Sequence, residues 1–211
     1  EDSLYLHADT LKSTTKYDTT FVSGEKAGYK IDTTRTIYAY HSVKFYKQDM
    51  QGKCDSLVYA ASDSTMRLFG LPVMWSDLNQ LTADHITLFT SNGNISSMFM
   101  EDNAFISSQE DTIRYNQIKG KKMNGAFKDN DLYRIDVEGN GQTLYYVRDK
   151  NVLVGVNKAD SPRLAILVGE NTVKSITFFS KPEAILYPLF ELPPREALLK
   201  DFKWRGTERP M

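Results

Sequence analysis

Three histidines, a lone cysteine and a recurring aspartate are the side chains through which this chain of 211 residues could do chemistry. His7, His41 and His85 are scattered, and none has a second histidine or a cysteine at the short spacing a metal site needs. They read as surface or strand-face residues rather than ligands. Cys54 fills a slot that elsewhere holds Ala8 and Ala83, which fits a small buried thiol better than a nucleophile. Asp9, Asp55 and Asp84 return at one position of a repeated text. A carboxylate there reads as a cap on a turn's backbone N–H groups, and copies of one residue suggest architecture rather than acid–base catalysis.

The remaining motifs point the same way. DNDLYRIDVEGNG comes nearest to a calcium loop but lacks the order of ligands and the distal glutamate. GEKAGYK and KGKKMNG are basic and glycine-bearing, yet neither has phosphate-loop spacing ahead of a helix. The sequence therefore calls for no catalytic residue, no metal and no cofactor. Lys and Arg number 26 against 27 Asp and Glu, a net charge of −1, so no basic excess advertises nucleic acid or an anionic membrane. One cysteine excludes an intrachain disulfide framework. No apolar run approaches the ~18 residues of a membrane-spanning helix, and the opening EDSLYL, without a basic and apolar leader, reads as a mature or trimmed chain.

The elements that must hold these residues are strands. TIYAYHSVKFYKQ (36–48), TMRLFGLPVMWSD (65–77), SSMFMEDNAFISSQ (96–109) and DLYRIDVEGNGQTLYYV (131–147) are rich in aromatic and β-branched residues, and SDS, SNGN and KDND between them are turn texts. ADTL (8–11), CDSL (54–57), ADHI (83–86) and GKKM (120–123) each precede a turn and one of the longer strands. They share a small first residue and an apolar fourth one. Their unequal spacing implies one repeated unit with loops of varying length, the longest being residues 13–34, stacked into a quasi-one-dimensional β-structure.

Aligned on their turns, the long strands place Val43, Val73, Ala104 and Gly141 in one column. Two residues on come Phe45, Trp75, Ile106 and Thr143, and four residues before the first column come Ala39, Phe69, Met100 and Val137. Alternate side chains of a strand share a face, so these columns form one apolar face, joined by Leu11, Leu57, Tyr59, Ile86, Leu88 and Met123 of the shorter strands. Lys44, Ser76, Glu101, Arg134, Asp136 and Glu138 lie opposite. Two such faces can close into a sandwich core, or a sheet folded like a half-open shell can leave a greasy trough.

The cadence of a small residue, Asp, any residue and Leu, then a turn and a strand with Gly or Asn near its middle, resembles the OstA-like family. That family includes the periplasmic lipopolysaccharide-transport protein LptA and the N-terminal domain of the outer-membrane protein LptD. GVNKADSPRLAILVGENTVKSITFFSKPEAILYPL, with the later LKDFKWRGTERP, looks like the C-terminal part of OstA-like proteins from Bacteroidetes. Departures are GKKM, which lacks the Asp, and the long insertion in the first copy.

The resemblance implies an all-β, elongated, folded-over sheet, a β-jellyroll or taco, with residues 1–155 as β-repeats and 156–211 as C-terminal strands and a Pro-rich capping tail of the same domain. It implies a non-enzymatic carrier or bridge in the periplasm, free or associated with the outer membrane, that shields lipopolysaccharide acyl chains on the way there. The expected groove lining is Leu11, Val43, Phe45, Leu57, Tyr59, Phe69, Val73, Trp75, Ile86, Leu88, Met100, Ile106, Met123 and Val137. The expected partners are lipopolysaccharide or a related lipid, other OstA-like transport proteins through edge strands, and further copies of itself head to tail.

Two other readings stand beside it. With 12 Tyr, 11 Phe and 2 Trp, the chain suits a carbohydrate-binding β-sandwich that stacks aromatic rings on sugars. A polysaccharide-cleaving β-solenoid would need carboxylates converging on one groove, and no such signature is written. Phe45 and Trp75 discriminate: pointing into an apolar trough they indicate lipid, and onto an exposed flat face, sugar. The closing FELPPREALLKDFKWRGTERPM allows a short helical turn after its prolines and is expected to cap one end of the stack.

Overall fold

The alternating pattern produces strands almost throughout the computed structural model, which describes residues 3–22, 28–48, 50–91, 94–128, 131–150, 152–169 and 172–210. The strands are β1 (Tyr5–His7), β2 (Thr10–Val22), β3 (Gly28–Lys47), β4 (Met50–Ala60), β5 (Thr65–Phe69), β6 (Val73–Ser76), β7 (Asn79–Thr82), β8 (His85–Ser91), β9 (Asn94–Gln109), β10 (Tyr115–Lys128), β11 (Asp131–Asp149), β12 (Val152–Gly169), β13 (Thr172–Phe179) and β14 (Glu183–Pro188). All pair antiparallel in one 14-stranded sheet, mostly with their neighbours in sequence. Two 3₁₀ turns, Pro194–Glu196 and Gly206–Glu208, lie in the C-terminal tail.

The sheet is folded along a line that crosses β3, β4, β9, β10, β11 and β12. On β3, β9 and β11 the fold is made by consecutive residues with positive φ, namely His41–Ser42, Asp102–Asn103 and Gly139–Asn140. Gly70–Leu71 do the same between β5 and β6, and Ser180–Lys181 between β13 and β14. Each pair within a long strand bulges against a single residue of the next strand: the register skips 41–42 opposite Asp55, 102–103 opposite Lys121 and 139–140 opposite Pro162. Two residues facing one bend a strand sharply. His, Asn, Asp and Gly are the residues that tolerate this backbone best. At Gly70 and Gly139 a side chain is also excluded by space, since a Cβ would lie 2.5 Å from Asp55 Cβ and 2.7 Å from Lys121 Cβ.

Two walls result. One holds β1, β6, β7, β14 and the halves of β3, β4, β9, β10, β11 and β12 that contain residues 43–47, 50–54, 104–109, 115–120, 141–149 and 152–160. The other holds β2, β5, β8, β13 and the remaining halves. The expected folded-over, all-β architecture is thus the one found. Within residues 13–34, read from sequence as a loop, the described part continues β2 and β3 as a long hairpin.

Candidate functional site

Register fixes which side chains face each other across the fold. In the first wall an unbroken row of paired residues runs Phe45, Gly52, Met74, Leu81, Ile106, Ile118, Thr143, Ala159. In the second, a row runs Ala39, Leu57, Leu68, Ile86, Met100, Met123, Val137, Leu164. These two rows flank the fold, and all their members but the half-buried Ile118 are buried. The Phe45 ring packs over Gly52, where a Cβ would lie 2.0 Å from Phe45 Cζ. One further row out on the second wall come Tyr59, Met66, Leu88, Met98, Gly125, Ile135, Ile166 and Ile176.

Most of the expected apolar face is present. Val43, Phe45, Leu57, Ile86, Leu88, Met100, Ile106, Met123 and Val137 are buried in one cluster, with half-buried Tyr59 packed against it. Leu11 is in register with Ala39 but 55% exposed, because β2 is the last strand at its end of the sheet. Phe69, Val73 and Trp75 face the other way, and the alignment on turns was one residue out of phase there. Aligned instead on the positive-φ pair Gly70–Leu71, the column members are Leu68 and Met74. Phe69 lies outside with its ring against His85, 5.6 Å between centroids. Trp75 is 1% exposed and pairs with Gln51 and Gln80 on the outer face of the first wall.

Beyond the closed row of the second wall the walls part around a cavity of about 680 Å³. Its interior is lined by Met50, Met74, Leu81 and Ile106 from one wall and by Ile95, Met98, Ile135, Val168, Val173 and Ile176 from the other. Ile118, Phe127 and Leu132 add to the apolar lining, and Asp77, Glu110, Asn116, Asp131 and Arg148 bring polar groups to it. The volume lies in the range of small-molecule sites, about 300–1,000 Å³. Among the expected lining residues only Ile106 and Trp75 border the hollow; Leu11, Phe69 and Val73 lie away from the inner face's core, and the others form the closed fold behind the hollow.

The candidate chemical residues have structural surroundings. Asp55 Oδ1 lies 3.2 Å from His41 Nδ1, and Asn103 Nδ2 donates to both Asp84 oxygens at 3.1 and 3.2 Å. Asp55 and Asp84 therefore tie one fold corner to the next through their side chains, rather than capping backbone N–H groups, whereas Asp9 meets the next corner through its backbone N–H, which donates to the His41 carbonyl at 3.1 Å. Hydrogen bonds from Ser56 and His41 hold the Asp55 carboxyl below the usual carboxylate range. Cys54 is buried at the fold, and burial pushes its thiol up to about 12, so it carries no thiolate at neutral pH. Among the described residues no group of three His, Cys, Asp or Glu side chains is gathered to hold a metal.

The C-terminal tail lies across the outer face of the first wall rather than over the end of the stack. Gln117 receives the Leu199 N–H at 2.8 Å and donates to the Ala197 carbonyl at 3.1 Å. Gln80 receives the Arg205 N–H at 2.6 Å and donates to the Lys203 carbonyl at 2.7 Å. Gln51 receives Arg209 Nε at 2.6 Å. Leu199 and Phe202 pack with Phe105, Leu144, Tyr146 and Val156 in a second apolar cluster, and the Trp204 ring lies tilted against Tyr115 with 4.9 Å between centroids.

Sequence reasoning missed these glutamines, although the signal was there. Each stands three residues before the small residue of a repeat: Gln51 before Cys54, Gln80 before Ala83, Gln117 before Gly120. It also missed a fifth copy, SPRL at 161–164, with Ser161 and Leu164 buried in the same slots.

No curated protein matches the chain significantly in sequence. Residues 2–94 match the family model described as LptA/(LptD N-terminal domain) LPS transport protein. In structure the chain is similar to LptH from Pseudomonas aeruginosa, the LptA-homologous periplasmic component of its lipopolysaccharide transport device. The TM-score is 0.51 at 11% identity, covering 67% of this chain and 96% of that one. The likeness is one of fold.

Proposed function

We propose that this chain, an OstA-like protein by its match over residues 2–94, carries or bridges lipopolysaccharide in the periplasm and shields its acyl chains between the two walls. The observation that carries the reading is the hollow itself: an apolar interior continuous with a dry core, bordered by polar groups, in a sheet of the LptA type. An amphiphile fits such a site with its chains inside and its headgroup at the polar border. Burying each methylene is worth roughly 0.8 kcal/mol, so a chain of about a dozen carbons gains on the order of 10 kcal/mol before ordering costs. Those costs lower the net affinity, which a carrier requires for release. The role needs no catalysis and no cofactor.

Partner contacts follow from the edges. β1 and β2 end the two walls on one side, and β14 and β13 on the other, so each end offers unpaired backbone groups for strand addition by another OstA-like protein or a second copy. Neither aromatic residue chosen to discriminate lies on an exposed flat face: Phe45 is inside the fold and Trp75 beneath the tail. The outcome that would indicate sugar is therefore not found, and the support for lipid comes from the hollow rather than from these two rings. Mass spectrometry of lipids that co-purify with the protein from its native periplasm tests the reading. Recovery of a multiply acylated lipid is expected, and a preparation free of any lipid after gentle isolation would oppose it.

A further inference from the structure

The register carries the inner face of the sheet off its end. On β2 and β3, Leu11 lies opposite Ala39 and Ser13 opposite Ile37, and Ala39 and Ile37 pair onward with Leu57 and Tyr59 of the inner rows. β4 stops at Ala60, opposite Thr36, so beyond that point the hairpin is a ribbon of two strands. Stepping outward by two residues, the same face presents the pairs Thr15–Arg35, Tyr17–Thr33, Thr19–Ile31 and Phe21–Tyr29.

Four of these side chains are large, apolar and strongly exposed: Tyr17 69%, Phe21 59%, Tyr29 78% and Ile31 64%. Phe21 and Tyr29 meet edge to face at 5.4 Å. The opposite face of the ribbon carries the charges, with Lys16 paired to Asp18 at 3.0 Å and Lys30 to Asp32 at 2.8 Å. A lone two-stranded ribbon is marginal in water and buries nothing against itself, so an apolar stripe on one side of it marks a contact surface. The stripe is the inner face of the sheet prolonged past the end of β4.

We propose that this stripe is an additional lipid-binding surface, on which an acyl chain of the carried lipid lies as it enters or leaves the groove; the inference rests on the carrier reading above. Continuity with the inner rows decides the occupant. Arg35 is the one charged residue on this face among the described part of the ribbon, and its cation favours the phosphate of a phosphorylated lipid.

The test places the photo-crosslinking residue p-benzoylphenylalanine singly at Ile31, at Tyr17, at Thr20 on the charged face and at Ile135 in the cavity, and exposes each purified protein to phosphorylated lipid A. Lipid adducts at Ile31, Tyr17 and Ile135 with none at Thr20 are expected. An adduct at Ile135 but not at Ile31 or Tyr17 overturns the hairpin surface while leaving the carrier reading standing. No adduct at any position overturns both. A chain-to-chain adduct at Ile31 that added lipid A does not displace overturns the proposal in favour of a second copy. Binding of the lipid-free protein to phosphatidylglycerol vesicles that is lost in Ile31→Asp overturns it in favour of a bilayer surface.

Discussion

The side-chain oxygen of Gln117 accepts the backbone N–H of Leu199 at 2.8 Å, joining two residues 82 positions apart. The same amide donates to the Ala197 carbonyl, so one side chain satisfies both a donor and an acceptor of the tail. Gln117→Ala strands these groups under Leu199, which is 5% exposed. A buried polar group left unpaired costs about 1–3 kcal/mol. The variant is expected to lose about 2–4 kcal/mol, and the tail to be cut faster by trypsin at Lys200 and Lys203. Proteolysis and thermal unfolding side by side check it; an unchanged cleavage rate would mean that the Gln117 contacts do not hold the tail.

Glu208 lies between Arg205, at 2.8 Å, and Lys53, at 3.0 Å, and hydrogen bonds from these two hold its carboxyl down at about 2. A carboxyl depressed in the folded state stabilises that state above its ordinary value near 4.5, and the contribution is lost as pH falls from there through about 2. Release of the 205–209 segment is expected across that acid window. The fluorescence of Trp204 reports it, and Glu208→Gln is expected to flatten the transition.

Gly52 has no room for a methyl group beneath the Phe45 ring. Gly52→Ala is expected to destabilise by about 1–3 kcal/mol through overpacking. The smaller ring site in a Gly52→Ala, Phe45→Leu double variant should recover part of that loss, a coupling that denaturant unfolding of the single and double variants measures.

Cys54 is held as a neutral thiol by burial. It is expected to resist iodoacetamide at pH 8 in the native protein and to react at the ordinary rate in denaturant. Rapid native alkylation would contradict its place in the closed fold.

How far the fold was legible depended on what sets each feature. Strand alternation and the recurrence of Asp55, Asp84, Leu57 and Ile86 are local patterns, and they led to the stacked, folded sheet. The phase slipped at Phe69, Val73 and Trp75 because turn residues were used as the ruler, whereas the fold is set by positive-φ pairs. Gly70–Leu71 does not resemble His41–Ser42 as text, although the backbone is the same. The apolar cluster was legible, but the hollow was not, because it depends on how far the walls separate beyond Met98 and Ile106. The outer-face burial of Trp75 required the tail, whose anchors Gln51, Gln80 and Gln117 repeat in step with the small residues. A polar residue in an alternating strand looks solvent-facing until a segment more than 80 positions away covers it.

Paired substitutions on the two faces of the sheet test whether acyl chains occupy the hollow between the walls. Ile176 half-buries its side chain on the cavity wall, whereas Phe69 lies on the outer face against His85. Binding of a fluorescent acylated lipopolysaccharide to folded Ile176→Asp and Phe69→Asp proteins is the measurement. The predicted result is a loss of affinity of at least about tenfold for Ile176→Asp, consistent with placing a carboxylate against buried methylenes, and unchanged affinity for Phe69→Asp. Wild-type affinity in a folded Ile176→Asp protein would contradict the claim.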